Sequence, residues 1–296
     1  MRLIKRVVGA ALAPVLMSVA APALAVDVDP GDYTALPAGT NLGLVYLQQV
    51  HRDELSTPAG TIDDARLDSS VMLARYVHFT KIGPFTVDPQ VIVPFGKLYN
   101  GQVAGSDLDE SSGLGDIVTF ATVWLVNKPD PKHETYFGVS PILTIPTGAY
   151  GHDKSVNLGG NRFVYTAQAG LIQGLAQNLK VDLIGELTWY QDNDKYGAAE
   201  QTLSQAHSGE FQAWLRYGLP DGKTTVSAGY ANYWGGKQKV DGVYNGSKTE
   251  HQQVRLAIQS FVTPTVQLEA IVGRDTEVQD GFRQDAIVQL RALKLF

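Results

Sequence analysis

The residues in this chain that could do covalent or metal chemistry do not stand at the spacings such chemistry needs. Six histidines, His51, His78, His133, His152, His207 and His251, are scattered, and no two fall at the H-x-x-x-H spacing that sets two imidazoles on one helix face for zinc. Cysteine is absent, which removes thiolate nucleophiles, cysteine metal sites, disulfides and a cysteine-linked lipid anchor. Asp192-Asn193-Asp194 has the opening of a calcium loop but lacks the glycine and the distal glutamate at the required positions. No G-x-S-x-G string and no P-loop occurs. His78 and His251 lie near Ser70 and Ser260, the one hint of the Ser-His pair of a lipid hydrolase, but no spacing points to a triad. The net charge of −6 and the pI near 5.5 offer no basic patch for nucleic acid. The expectation is no enzyme, no cofactor and no metal.

Charged side chains carry a different kind of signal: they alternate with apolar ones. In the stretch 178–191, Leu179, Val181, Leu183, Leu187 and Trp189 share one phase, and Lys180, Asp182, Glu186 and Tyr190 share the other. In 205–218, Phe211, Ala213, Leu215 and Tyr217 oppose Glu210, Gln212, Trp214 and Arg216. Arg255 stands opposite Val254 and Leu256, Glu269 opposite Leu268 and Ala270, and Arg291 opposite Leu290 and Ala292. Period two is the signature of strands with unlike faces. An arginine or lysine on a lipid-facing strand at the bilayer midplane costs ~2–4 kcal/mol. If the apolar phase meets lipid, then Lys180, Glu186, Tyr190, Glu210, Trp214, Arg216, Arg255, Glu269 and Arg291 line a lumen. Both signs of charge are present, which argues against a strongly ion-selective pore.

The elements that must position these residues number about twelve strands: 40–51, 66–80, 84–96, 113–126, 133–147, 161–174, 178–191, 205–218, 223–235, 249–263, 265–275 and 282–296. Their connections alternate. Short turns fall at 81–83, 127–132, 175–177, 219–222 and Pro264, and longer polar loops at 52–65, 97–112, 148–160, 192–204 and 236–248, with a shorter one at 276–281. Short turns on one rim and long loops on the other are the pattern of an outer-membrane barrel. The fold expected is all-β: a transmembrane, antiparallel, up-and-down barrel with both termini on the periplasmic, short-turn side. A soluble β-sandwich or lipocalin-like barrel would show the same alternation. Twelve long strands in one sheet, however, enclose a space too wide for side chains alone to fill. Mean hydropathy is only −0.08 and no apolar run approaches 18 residues beyond the N-terminal segment, as suits a barrel that crosses with strands.

The two ends fit the same reading. Residues 1–25 form a signal peptide: Arg2, Lys5 and Arg6, then the apolar run 7–19, then the A-x-A site Ala23-Leu24-Ala25. The apolar run is too short for a membrane-spanning helix of ~20 residues. Residues 26–39 form a Pro/Asp-rich periplasmic lead-in, and 40–296 the barrel. The last strand runs to Phe296, the expected assembly signal, with Lys294 in its apolar phase close enough to the interface to snorkel.

Three segments carry a family resemblance. Ser112-Gly113-Leu114-Gly115-Asp116 enters the fourth strand, Thr144-Ile145-Pro146-Thr147-Gly148 ends the fifth, and Asn157-Leu158-Gly159-Gly160-Asn161-Arg162 enters the sixth. In this order and spacing they resemble the outer-membrane transporter family named for the MetA pathway of phenol degradation. The resemblance implies passive, porin-like uptake of small, often aromatic or hydrophobic compounds across a Gram-negative outer membrane. Gly113, Gly115, Asp116, Pro146, Gly148, Asn157, Gly159 and Asn161 read as rim and turn residues, where glycine and proline allow bends. Pro141 and Pro146 interrupt a strand, which suggests a bulge or kink facing the lumen. The partners expected are the lipid bilayer and lipopolysaccharide, the barrel-assembly machinery and a small-molecule solute, with the barrel a monomer and no nucleic acid involved. A non-conducting surface barrel is the alternative, and the two readings differ in whether the lumen is plugged.

Overall fold

The computed structural model describes residues 27–130 and 133–296; the signal-peptide segment 1–25 lies outside them. The main sheet closes on itself. Its strands are β1 (Asn41–Thr57), β2 (Ala65–His78), β3 (Phe85–Val103), β4 (Ile117–Lys128), β5 (Thr135–Ile145), β6 (Val164–Ala176), β7 (Leu179–Tyr190), β8 (Ser208–Gly218), β9 (Thr224–Gly235), β10 (Glu250–Thr263) and the continuous run Val266–Leu295. That run pairs with β10 through residues 266–280 and with β1 through 281–295. It folds back at Gly281 (φ +119°), so that the Leu295 N–H donates to the Thr265 carbonyl. Its halves, β11 (266–280) and β12 (281–295), make eleven strand elements into twelve passes of the wall, and β12–β1 is the closing seam. Every pairing in the wall is antiparallel, and all but the closing seam join chain neighbours. This up-and-down order leaves the main sheet no open edge, which a sheet in lipid requires.

The two faces are assigned as the alternation predicts. Leu47, Met72, Leu187, Phe211, Leu215, Leu256, Val272 and Leu290 project outward and are exposed, whereas Asp182, Gln212, Arg216, Gln253, Arg255, Glu269 and Arg291 are buried inside. This inversion of the soluble pattern is stable only where lipid surrounds the wall. Tyr76, Tyr165, Trp189, Tyr217, Tyr230 and Trp234 are also exposed, an aromatic complement suited to the two interfaces. Pro141, expected to face the lumen, instead points outward from β5. Its missing N–H interrupts the ladder to β4 at Ala121–Thr122, and the Thr122 N–H turns to the Asp88 carboxylate at 2.8 Å.

The rims differ. Asn41 and Phe296 exchange backbone hydrogen bonds (3.0 and 3.1 Å) at the rim that carries the short turns. At the other rim the loops hold further structure. Asn193–Tyr196, Gln201–Gln205, Gln238–Val240 and Val243–Tyr244 form a separate four-stranded sheet over the barrel mouth.

Candidate functional site

The lead-in is inside the barrel. Asp29-Pro30-Gly31-Asp32 forms a tight turn closed by the Asp32 N–H on the Asp29 carbonyl (3.2 Å), with Gly31 at φ +92°. Proline then glycine at the central positions is what a type II turn favours, because the second must take positive φ. A Cβ at Gly31 would lie 2.8 Å from the Arg216 guanidinium. The turn points aspartates at arginines on the wall. Asp27 meets Arg255 at 3.0 Å, and Asp32 meets Arg75 at 2.6 Å. Arg291 meets Asp29, Asp32 and Glu269, each at 2.9 Å. The Gly31 N–H donates to Asp182, which also pairs with Arg216.

Backbone carbonyls of the segment are satisfied by the wall. The Trp124 indole N–H donates to the Tyr33 carbonyl and that of Trp214 to the Val28 carbonyl, both at 3.1 Å. Gln259 donates to the Pro30 carbonyl. The Tyr33 ring enters a slot cut by two glycines that face each other across β5 and β6, Gly138 and Gly170. A Cβ on Gly170 would come within 2.3 Å of that ring. At the end of the slot the Tyr33 hydroxyl meets Ser140 (3.1 Å) and donates to Gln168 (2.8 Å). Val28, Tyr33 and Ala35 pack with Trp124, Trp214, Phe79 and Tyr136 in one buried cluster. The lead-in read from sequence as periplasmic therefore fills the short-turn half of the lumen.

Above it lies a chamber of about 310 Å³. Its floor is Asp27, Val28, Asp32 and Tyr33. The wall changes character around the circumference: Val118, Phe120, Ile142 and Val164 line one arc, and Glu186, Glu210, Tyr233 and His251 the next. Its roof is the loop 148–163, and the three family-like segments are what fold that loop inward. Asp116 accepts from the Gly148 N–H (2.8 Å) and the Gly160 N–H (2.7 Å). Gly159 packs so close to Gly148 that a Cβ would meet backbone at 2.8 Å. Asn157 clamps Gly151 by its amide, accepting at 2.8 Å and donating at 3.0 Å. Asn161, at φ +52°, donates to Asn193. Gly113 takes φ +133° and Gly115 packs on Pro94. Leu158 and Arg162 thereby reach the chamber, where Arg162 stacks over the Tyr190 ring (4.8 Å) and bonds Gln205. At the exposed end of the same loop, the N–H and hydroxyl of Ser155 hold the Asp109 carboxyl below its usual range.

The residues singled out for the lumen divide into three groups. Glu186, Tyr190 and Glu210 line the chamber. Trp214, Arg216, Arg255, Glu269 and Arg291 lie within the barrel but belong to the network around the lead-in rather than to the chamber wall. Lys180 does neither; it pairs with Glu134 at 2.5 Å. Phe296 is exposed, with its ring 6.4 Å from that of Tyr76, and Lys294 donates to Thr265. Sequence reading missed the aspartates of the lead-in, Arg75 and the glycine slot. The one available signal was the density of charge in the lead-in, three aspartates within six residues, ahead of a wall with inward arginines.

Comparison with known proteins agrees with this architecture. The chain matches a solved COG4313 outer membrane channel from Pseudomonas putida F1 at 32% identity and TM-score 0.85, over 91% of this chain and 100% of that one. The NanC porin matches at 10% identity and TM-score 0.48 over 86% and 98%, and a mutant of the TodX monoaromatic hydrocarbon channel at 10% and 0.46 over 88% and 90%. Likeness at those last levels carries no functional argument. No curated protein sequence matches the chain. The model of the family described as "Putative MetA-pathway of phenol degradation" matches residues 51–292. With a closed inside-out wall, a lumenal chamber and that match, the chain is an outer-membrane β-barrel channel and belongs to the MetA-pathway of phenol degradation family.

Proposed function

We propose that this channel passes small uncharged, aromatic or hydrophobic compounds down a gradient, with the lead-in as the element that must move for solute to cross. The observation that carries this reading is the chamber. It lies between lead-in and loops, apolar along one arc and polar along the next, and is of a size at the low end of the ~300–1,000 Å³ usual for small-molecule sites. The family match supports the aromatic class. In this reading residues 1–25 are cleaved, 26–39 become the mature N-terminal lead-in with 27–36 in the lumen, both ends of the wall face the periplasm, and the protein is a monomer in lipid and lipopolysaccharide that does no catalysis. The test is solute flux and single-channel conductance of the purified barrel in liposomes. Flux of phenols or simple arenes is expected. If well-folded protein passes neither solute nor ions with the lead-in present or deleted, the transport reading fails and the non-conducting alternative stands; the many bonds on the lead-in are what favour that alternative.

Assembly through the barrel machinery is part of the same proposal. Phe296 contributes an exposed ring and the backbone pair that aligns β12 with β1. Phe296→Ala keeps the backbone pair, so insertion is expected to slow rather than stop. The heat-modifiable folded fraction in cells measures this, and an unchanged folding rate would show that the ring is dispensable.

A further inference from the structure

Glu186 and Glu210 stand directly opposite each other in register on β7 and β8. Two carboxyl groups at facing positions repel when both are charged, whereas the carboxylates around the lead-in, Asp29, Asp32 and Asp182, each have an arginine against them. Glu186 has none within salt-bridge distance among the described residues and is held by the Gln168 amide at 2.8 Å. Glu210 is 3% exposed, and its Oε1 has no hydrogen-bond partner among the described residues although it is buried. Gln253 Oε1, on another part of the same chamber, is likewise buried and unpartnered. Glu210 and Gln253 each present a free acceptor, while the third unpartnered buried atom on the chamber lining, Arg162 Nη1, is a donor at its roof over the Tyr190 ring. A buried acceptor without a donor costs free energy that a donor recovers on binding.

The apolar arc of Val118, Phe120, Ile142 and Val164, with Leu158 above it, lines the same chamber. Taken with the acceptors, we infer that the chamber is a binding site for a compound with an apolar ring or chain and an uncharged hydrogen-bond donor head, an aryl or alkyl alcohol, and that Glu210 with Glu186 reads that head. The apolar arc takes the ring, and Glu210 Oε1 accepts from the hydroxyl. A carboxylate-bearing analogue has no donor to offer and brings a third negative charge to the pair. An arene without a hydroxyl leaves Oε1 unpaired. This inference rests on the channel reading for its access route but not for its chemistry.

Equilibrium binding to the purified, folded barrel tests it without requiring flux. The probes are p-cresol, benzyl alcohol, benzylamine, toluene and benzoate, followed by calorimetry or ligand-observed NMR. Wild type is expected to bind p-cresol and benzyl alcohol about tenfold more tightly than toluene, the size of one recovered hydrogen bond, and benzoate more weakly still. Glu210→Gln keeps an acceptor and removes the charge, so it should hold p-cresol and lose most of the discrimination against benzoate. Glu210→Leu should bind p-cresol and toluene alike. If Glu210→Leu fails to fold, wild type and Glu210→Gln still decide the matter. Equal wild-type affinity for toluene and p-cresol, or for benzoate and p-cresol, overturns the proposal. So does benzylamine outranking both alcohols, since that marks a cation site. Selective binding without flux would sink the channel reading alone; flux without selectivity would sink this one alone.

Discussion

Gly170→Ala is expected to open the barrel. The added methyl would sit 2.3 Å from the Tyr33 ring, far inside contact distance. That ring has little room to yield, because its hydroxyl is bound to Ser140 and Gln168 and its carbonyl to the Trp124 indole. Overpacking of this kind costs ~1–3 kcal/mol, and the cheaper response is for the segment, not the wall, to move. Gly170 pairs within an unbroken stretch of ladder on both sides, so the barrel itself should fold. Conductance is expected to rise several-fold and to approach that of a variant lacking residues 27–36. Gly185→Ala is the matched control, since a Cβ there meets nothing within 4 Å. The chain has no cysteine, so a single Asp27→Cys substitution can report whether the segment has left the lumen. If Gly170→Ala conducts as wild type does while the thiol introduced at position 27 becomes reactive, the segment is not the barrier.

The second large effect belongs to Arg291. Its side chain is 3% exposed and faces three carboxylates, on Asp29, Asp32 and Glu269, whose side chains are themselves 5%, 15% and 1% exposed. Removing one partner of a buried ion pair strands the others, at a typical cost of ~3–5 kcal/mol. Arg291→Ala should therefore lower the urea midpoint of the folded barrel sharply. The relief available to the molecule is to expel the lead-in, which returns Asp29 and Asp32 to water and leaves only Glu269 stranded. Arg291→Ala should accordingly leak as well as destabilise. The same substitution made in the variant lacking 27–36 should cost much less, because groups in one network are not additive. An equal loss of stability in both backgrounds would mean that Arg291 serves the wall and not the segment.

The barrel was legible in the sequence because its cause is local and periodic. Leu179 to Tyr190 must alternate wherever that strand lies, since lipid is on one side and water or protein on the other. The Leu175-Ala176-Gln177 and Pro264 turns are likewise short because antiparallel neighbours need nothing longer. The inside-out sense followed from where the charges of Asp182, Arg216 and Arg255 could be tolerated. The rim motifs were visible as strings, but not as a knot. Asp116 reaches Gly148 and Gly160 only after three separated segments converge.

Composition and period thus determined by themselves that this chain closes into a membrane wall, which strands build it, and that the charged phase of those strands must turn away from lipid. Only the tertiary structure decided what the inside contains. Asp29 and Arg291 are separated by 262 positions, and Trp214 and Val28 by 186. Pairs so distant leave no periodic trace, and an aspartate in a polar lead-in looks the same whether it meets solvent or an arginine. The slot for Tyr33 is two glycines that read as ordinary strand residues until β5 and β6 are set in register. Whether the lumen is a pore or a closed chamber depends on such pairings, because the energy that seats the segment comes from contacts formed after the wall exists.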